Sequence, residues 1–313
     1  MNIYLTDTQI IHSLKKSIAI LLVLLPCLVI AQNVDIPDAA FKQFLLEESN
    51  INTDGNGEIS TFEAESYNGG IYIYSDIDVQ DLSGINASVN IKTLRCECTS
   101  LQKLHLNNLS RLESLTINSD GLLSDFMIQG LPELEWVDLR NNQIFSTDLT
   151  SSPKLERLFL DENKLTSLDL SQNLLLSEVY GNDNLIETLI LPPNSQELSK
   201  VVLKNNLLSS FSASSYPELG RIDLMDNKLE SISLSDLPML WGLDLSGNLL
   251  KEIHLVGDLY YRASLFDLNG RLMISVKNQP SLDVSQYVQG TYLLEIQDLE
   301  SGQKILERIV VGN

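Results

Sequence analysis

Leu134–Ile144 reads LEWVDLRNNQI, and Leu155–Leu165, 21 residues on, reads LERLFLDENKL. LSEVYGNDNLI follows from Leu176, LSKVVLKNNLL from Leu198, LGRIDLMDNKL from Leu219 and LWGLDLSGNLL from Leu240. The steps are 21, 21, 22, 21 and 21 residues. Weaker copies start at Ile91 (IKTLRCECTSL) and Leu112 (LESLTINSDGL), and a degenerate one covers Ile71 to Asn90. In each copy the apolar residues alternate, so a short strand points one face inward. An asparagine recurs where the chain must turn, at Asn142, Asn163, Asn184, Asn206, Asn227 and Asn248. Its amide can satisfy backbone groups that no helix or sheet serves. One such unit cannot bury its apolar edge alone, so neighbours must stack. A second apolar pair per copy, as in Leu168 and Leu170 or Ile232 and Leu234, predicts a short extended segment on the convex side.

The pattern LxxLxLxxNxL resembles the leucine-rich repeat family. The resemblance implies an α/β-type solenoid over residues 69–258, with 21–22-residue repeats and a parallel concave sheet. It also implies function by binding, with many partner classes open.

A solenoid needs its ends closed. Residues 32–68 precede the first repeat, and IPDAAFKQFLLEES holds Phe41, Phe44 and Leu45 on one helical face. Pro37 suits the first turn of that helix. Then comes Asn52–Glu63, NTDGNGEISTFE. Its spacing is that of an EF-hand loop: Asn52, Asp54, Asn56, the carbonyl of Glu58, Ser60 and Glu63 in ligand positions, with Gly57 at the sharp turn. Among these ligands only Asp54 and Glu63 bring side-chain charge, which predicts a weak calcium site, about 10⁻⁴–10⁻³ M, that stiffens the segment without signalling. The alternative is a turn closed without metal, and no cofactor is required. The segment resembles the helical N-terminal caps of secreted bacterial leucine-rich repeat proteins.

At the start, Lys15 and Lys16 precede an apolar run that stops at Ala31. That run reads as a signal peptide over residues 1–31, and no other long apolar run follows, so the mature chain is expected to have no membrane span. Cys27 after Pro26 does not make a lipoprotein site, because a small residue is wanted there. The net charge is −21. That acidity argues against nucleic acid or anionic lipid as partners. Outside the leader only Cys96 and Cys98 occur, too few for a disulfide scaffold. Cys96 takes the inward position that Leu139 and Leu160 hold elsewhere, which predicts a buried thiol; a Cys96–Cys98 bridge is the alternative.

After residue 258 the repeat ends and short alternating strands follow, with Asn269-Gly270 and Ser301-Gly302 as turn signals. FDLNGRLM (Phe266–Met273), Leu282–Ile296 with its GTYLLEI block and the basic-apolar ending Lys304–Val311 resemble the C-terminal sorting domain of type IX secretion. The Pro-Asn-Pro element usual at its start is missing. The resemblance implies a small β-sandwich over residues 259–313, recognition by the type IX secretion machinery, and an extracellular protein, released or anchored at the cell surface.

No catalytic constellation is present. His105 and His254 are about seven repeats apart, and no phosphate loop or GxSxG occurs. The chain is therefore expected not to be an enzyme. The non-leucine strand positions face the concave side. They place Trp136, Phe159 and Tyr180 on three consecutive strands, flanked by Arg140, Arg157 and Lys200. Aromatic rings beside arginine suit a protein hot spot or a sugar-stacking surface. The expected function is binding of a macromolecule, with a protein as the leading partner. A polysaccharide-binding adhesin, or a structural surface component without a discrete ligand, is the alternative.

Overall fold

The computed structural model describes residues 32–48, 50–214, 216–235, 237–255, 261–300, 302 and 304–311. The leader expected over residues 1–31 lies outside the described residues. Two helices come first, α1 (Ala39–Glu47) and α2 (Thr61–Ser66). The N-cap of α1 is Asp38, whose carboxylate accepts from the Phe41 N–H at 2.9 Å, so Pro37 stands just outside the helix. The other Asp38 oxygen accepts from the N–H groups of Gln80 and Asp81, which ties α1 to the first turn of the solenoid. Phe41 and Leu45 are buried in the same core as Ile71 and Ile73, while Phe44 is only half-buried. Helix α2 opens with a reciprocal capping box between Ser60 and Glu63.

In chain order the strands of the solenoid are β1 (Gly70–Ile73), β2 (Thr93–Cys96), β3 (Lys103–Asn107), β4 (Ser114–Ile117), β5 (Asp125–Gln129), β6 (Trp136–Asp138), β7 (Arg157–Phe159) and β8 (Ser167–Asp169). There follow β9 (Glu178–Tyr180), β10 (Thr188–Ile190), β11 (Lys200–Val202), β12 (Ser210–Ser214), β13 (Arg221–Asp223), β14 (Ser231–Ser235), β15 (Gly242–Leu250) and β16 (Glu252–Leu255). The last five are β17 (Tyr261–Phe266), β18 (Leu272–Lys277), β19 (Ser281–Asp283), β20 (Gly290–Asp298) and β21 (Lys304–Val311).

The concave sheet runs β1-β2-β4-β6-β7-β9-β11-β13-β15 in unbroken parallel order, one strand per turn. The degenerate first copy supplies β1, whose Gly70 and Tyr72 pair in register with Thr93 and Arg95. Inward leucines such as Leu158, Leu160 and Leu245 are fully buried, each worth about 2 kcal/mol.

The recurring asparagines fasten the turns. Asn184 is buried; its Nδ2 donates to the carbonyls of Gly181 and Asn182 in its own turn and to Leu160 in the preceding one. Its Oδ1 accepts from the Leu165 N–H at 3.0 Å. Asn163, Asn206, Asn227 and Asn248 repeat the arrangement. The residue before each asparagine is left-handed: Asn141, Glu162, Asp183, Asn205 and Asp226 have φ between 54° and 57°, and Gly247 has φ 72°.

The convex side is discontinuous. Its strands form three separate sheets, β3-β5, β8-β10 and β12-β14-β16-β19. The first gap falls where Thr147 takes the inward place that Leu168 holds one turn later. The second falls between β10 and β12, in the turn that is one residue longer and carries Pro192-Pro193.

The C-terminal strands continue both sides of the solenoid. Strand β21 pairs in parallel with β15 and carries β20, β17 and β18 beyond it, while β19 pairs antiparallel with β16. Ile309 and Val311 are buried in the core that holds Leu245 and Leu250. No helix of the described residues is long and apolar enough to cross a membrane.

Candidate functional site

Strand register places two outward rows on the concave face. One row runs Thr93, Ser114, Trp136, Arg157, Glu178, Lys200, Arg221 and Gly242. The other runs Arg95, Thr116, Asp138, Phe159, Tyr180, Val202, Asp223 and Asp244. Neighbouring strands stand about 4.8 Å apart, close enough for rings on successive strands to touch. They do. The Trp136 and Phe159 centroids lie 4.8 Å apart at 37°, and those of Phe159 and Tyr180 lie 5.1 Å apart at 8°. All three rings are half-buried.

The basic residues close around this stack. The Arg140 guanidinium sits 5.3 Å from the Phe159 centroid and grips Asp138 with two bonds, of 2.9 and 2.6 Å. Its pKa is raised, first by the Asp138 hydrogen bond. Asp161 lies next to it; burial lifts its carboxyl above the usual range, against the bonds from Asn182 and the field of Arg140. Lys200 pairs with Glu178 at 2.9 Å, and the Tyr180 hydroxyl reaches the other Glu178 oxygen at 3.4 Å. Arg157 differs. Its guanidinium lies 5.7 Å from the Trp136 ring, and among the described residues no carboxylate stands within ion-pair distance of it. The six expected residues are thus brought together, and all but Arg157 and the rings are ion-paired. The repeat register places Asp138 and Glu178 on this face; what it could not show is that Asp138 fixes Arg140 and that Glu178 joins Lys200 to Tyr180.

The Asn52–Glu63 loop is held by its own donors. The Glu63 carboxylate is buried and accepts from the Thr53 N–H and hydroxyl, the Asp54 N–H, and the Ser60 N–H and hydroxyl. Burial works to raise its pKa, but these bonds, led by that from the Ser60 N–H, prevail and bring it to about 2. Asn52 Oδ1 accepts from Gly55, Asp54 from Asn56, and Asn56 from Glu58. The Glu58 carboxylate lies against Lys42 at 2.8 Å. A calcium ion needs six or more oxygens free to converge. Here both oxygens of the closing glutamate are already engaged by protein donors, so the set as folded does not fit the ion.

Cys96 and Cys98 are both buried and meet sulfur to sulfur, with Cα atoms 5.1 Å apart, within the range of bridged pairs. The expected free buried thiol at Cys96 gives way to a pair. Cys96 ends β2 and Cys98 lies just past it, and both side chains point into the core. His105 meets Asp125 at 2.6 Å on the convex side, and His254 meets Glu252 at 3.4 Å. Among the described residues no group of three or more His, Cys, Asp or Glu is placed to hold a metal.

No family model matches this chain, and no curated protein matches it significantly. Solved structures do. The functional domain of InlJ from Listeria monocytogenes, which includes a cysteine ladder, is 14% identical with a TM-score of 0.29, over 90% of this chain and 98% of that one. A structure of the CBM51-2 and INT domains of Clostridium perfringens ZmpB, in complex with GlcNAc, is 11% identical with a TM-score of 0.17, over 90% of this chain and 36% of that one. Superposition at these scores is loose, and the solenoid follows from the strand register of this chain.

Proposed function

We propose that this chain is a binding protein whose concave face engages a protein partner, anchored on Trp136, Phe159 and Tyr180 with Arg140, Arg157 and Lys200 around them. The observation that carries the reading is the stacking of the three rings. Phe159 and Tyr180 lie face to face, Trp136 leans on Phe159 at 37°, and Arg140 and Arg157 lie over the Phe159 and Trp136 rings. A partner meets mainly their edges. A sugar ring binds best to a bare aromatic face, whereas protein side chains pack well against edges and arginine stems. The geometry therefore favours protein over polysaccharide. Because most cations on this face already have carboxylates, association should depend only weakly on salt.

On this reading the chain performs no covalent chemistry and needs no cofactor. The helices close the N-terminal end, and the loop is braced by Glu63 rather than by calcium. The leader-like segment and the sorting-domain motifs support export through the type IX route to the cell exterior. The burial of Ile309 and Val311 supports a tail that stays on the solenoid as its closing element.

The test is capture by residues 32–313, immobilised beside a Trp136→Ala/Tyr180→Ala variant of unchanged circular dichroism, from separate protein and polysaccharide panels. A protein held by the parent and lost by the variant supports the reading. A partner kept equally by both moves the site elsewhere, and capture of polysaccharide alone replaces protein with glycan.

A further inference from the structure

The second gap of the convex side opens a cleft of about 330 Å³ between β10 and β12. The turn containing the gap is one residue longer than its neighbours, and β10 stops two residues before Pro192-Pro193, whose rings cannot carry a ladder onward. β10 pairs with β8 on one side only, and on the side toward β12 the edge of the core shows. Leu189 and Leu191 are half-buried, whereas Leu168 and Leu170, their counterparts one turn earlier, are buried. Together with Phe211 they make an apolar floor.

The wall is a grid of hydroxyls. Ser210 and Ser231 stand opposite each other on β12 and β14, and so do Ser212 and Ser233. His254 continues the second row on β16. Among the described residues none of these four serine hydroxyls has a hydrogen-bond partner within the protein. Each hydroxyl can donate and accept. The imidazole of His254 leans on Glu252 through Nε2, which leaves Nδ1 toward solvent or a ligand.

We propose that this cleft is a second ligand site that takes a single neutral polyhydroxylated ring, of the hexopyranose class. The apolar floor suits the C–H face of such a ring, and the serine grid suits its hydroxyls. No lysine or arginine lines the cleft, Glu252 stands at its edge and the chain carries −21, which disfavours anions. Serine hydroxyls without a converging carboxylate set are poor cation ligands. The volume lies at the low end of small-molecule sites. The cleft is on the side opposite the aromatic stack, so the inference stands or falls independently of the concave reading.

The experiment is methyl-detected NMR on the full chain, with Leu189 and Leu191 as reporters. Glucose and galactose are titrated to about 100 mM, to reach millimolar affinity, and their hexasaccharides follow. Saturable shifts of both leucines are expected with at least one probe. Shifts with the free sugars identify a monosaccharide site, and shifts with the hexasaccharides alone identify a chain end as the source. Ser212→Val and Ser233→Val, made singly with other methyl signals unmoved, should each weaken binding about tenfold through loss of one hydrogen bond. No shift with any probe, or shifts unchanged in both variants, overturns the proposal.

Discussion

The concave and convex faces are cut from the same turns, yet one is continuous and the other is in three pieces. On the concave side each strand from β6 to β15 is set a fixed distance from a buried asparagine that binds both its own turn and the one before. The register cannot slip without breaking several buried hydrogen bonds at once. On the convex side nothing comparable is present at every turn. Pairing there depends on the local residue, and it stops where Thr147 replaces a leucine and where Pro192-Pro193 intrudes. A rigid face suits a broad preorganised interface, and a broken face makes clefts. The difference teaches that a repeat enforces order only on the side that carries its hydrogen-bonding residue.

The sharpest way to break the contrast is Asn184→Ala. It strips three carbonyls and the Leu165 N–H of their buried partner. A loss of about 3–5 kcal/mol is expected in urea unfolding. A loss below about 1 kcal/mol would mean that the ladder does not hold the concave register.

Glu63 does the ladder's work at the N-terminal end with a titratable group. Its folded pKa is lowered to about 2, so its contribution is full above the unfolded carboxylate range and fades as pH falls toward 2. Hydrogen exchange between pH 5 and 2 should show Thr53 and Ser60 losing protection before the concave strands. Simultaneous loss would contradict a separate acid-labile brace.

Two leucines that pair with each other compare a buried and a half-buried place on the convex side. Leu168→Ala should cost about 3 kcal/mol, and Leu189→Ala, beside the gap, about half of that. Equal costs by thermal unfolding would show that the gap leaves packing unaffected.

A gain is expected at the first gap. The Thr147 Oγ1 is buried without a partner, and Thr147→Leu restores the residue type of the next turn. Stability should rise by about 1 kcal/mol. The smallest effect concerns the left-handed position. Glu162 has φ 57°, where the preceding turn uses Asn141 and a later one Asn205. Glu162→Asn should add about 0.5 kcal/mol, because asparagine tolerates that conformation better.

The site was partly legible. Alternation and period placed Trp136, Phe159 and Tyr180 on consecutive strands, because register propagates side-chain direction from turn to turn. The stacking angles, the grip of Asp138 on Arg140 and the choice of Arg157 for the Trp136 ring over any carboxylate of the described residues were not legible, since they depend on rotamers chosen among neighbours in space. The serine grid of the convex cleft had a faint signal in the SFSAS and SISLS strands, but polar alternation alone reads as an ordinary solvated face. Trp241 is a contrast: the 21-residue step aligns it with Gly220, and its ring lies beside that glycine, 62% exposed.

By itself the sequence determined the solenoid, its period and which residues face inward, because a hydrophobic repeat with a turn asparagine leaves one way to bury its edge. Tertiary structure alone decided where the convex sheet breaks. It also decided that the last strands extend both sides of the solenoid, that Cys96 meets Cys98, and that Glu63 turns to protein donors in a loop spaced for calcium. Each of these is a competition between alternative partners, some distant along the chain and some, as with Cys96 and Cys98, close by, and composition and spacing do not rank such competitors.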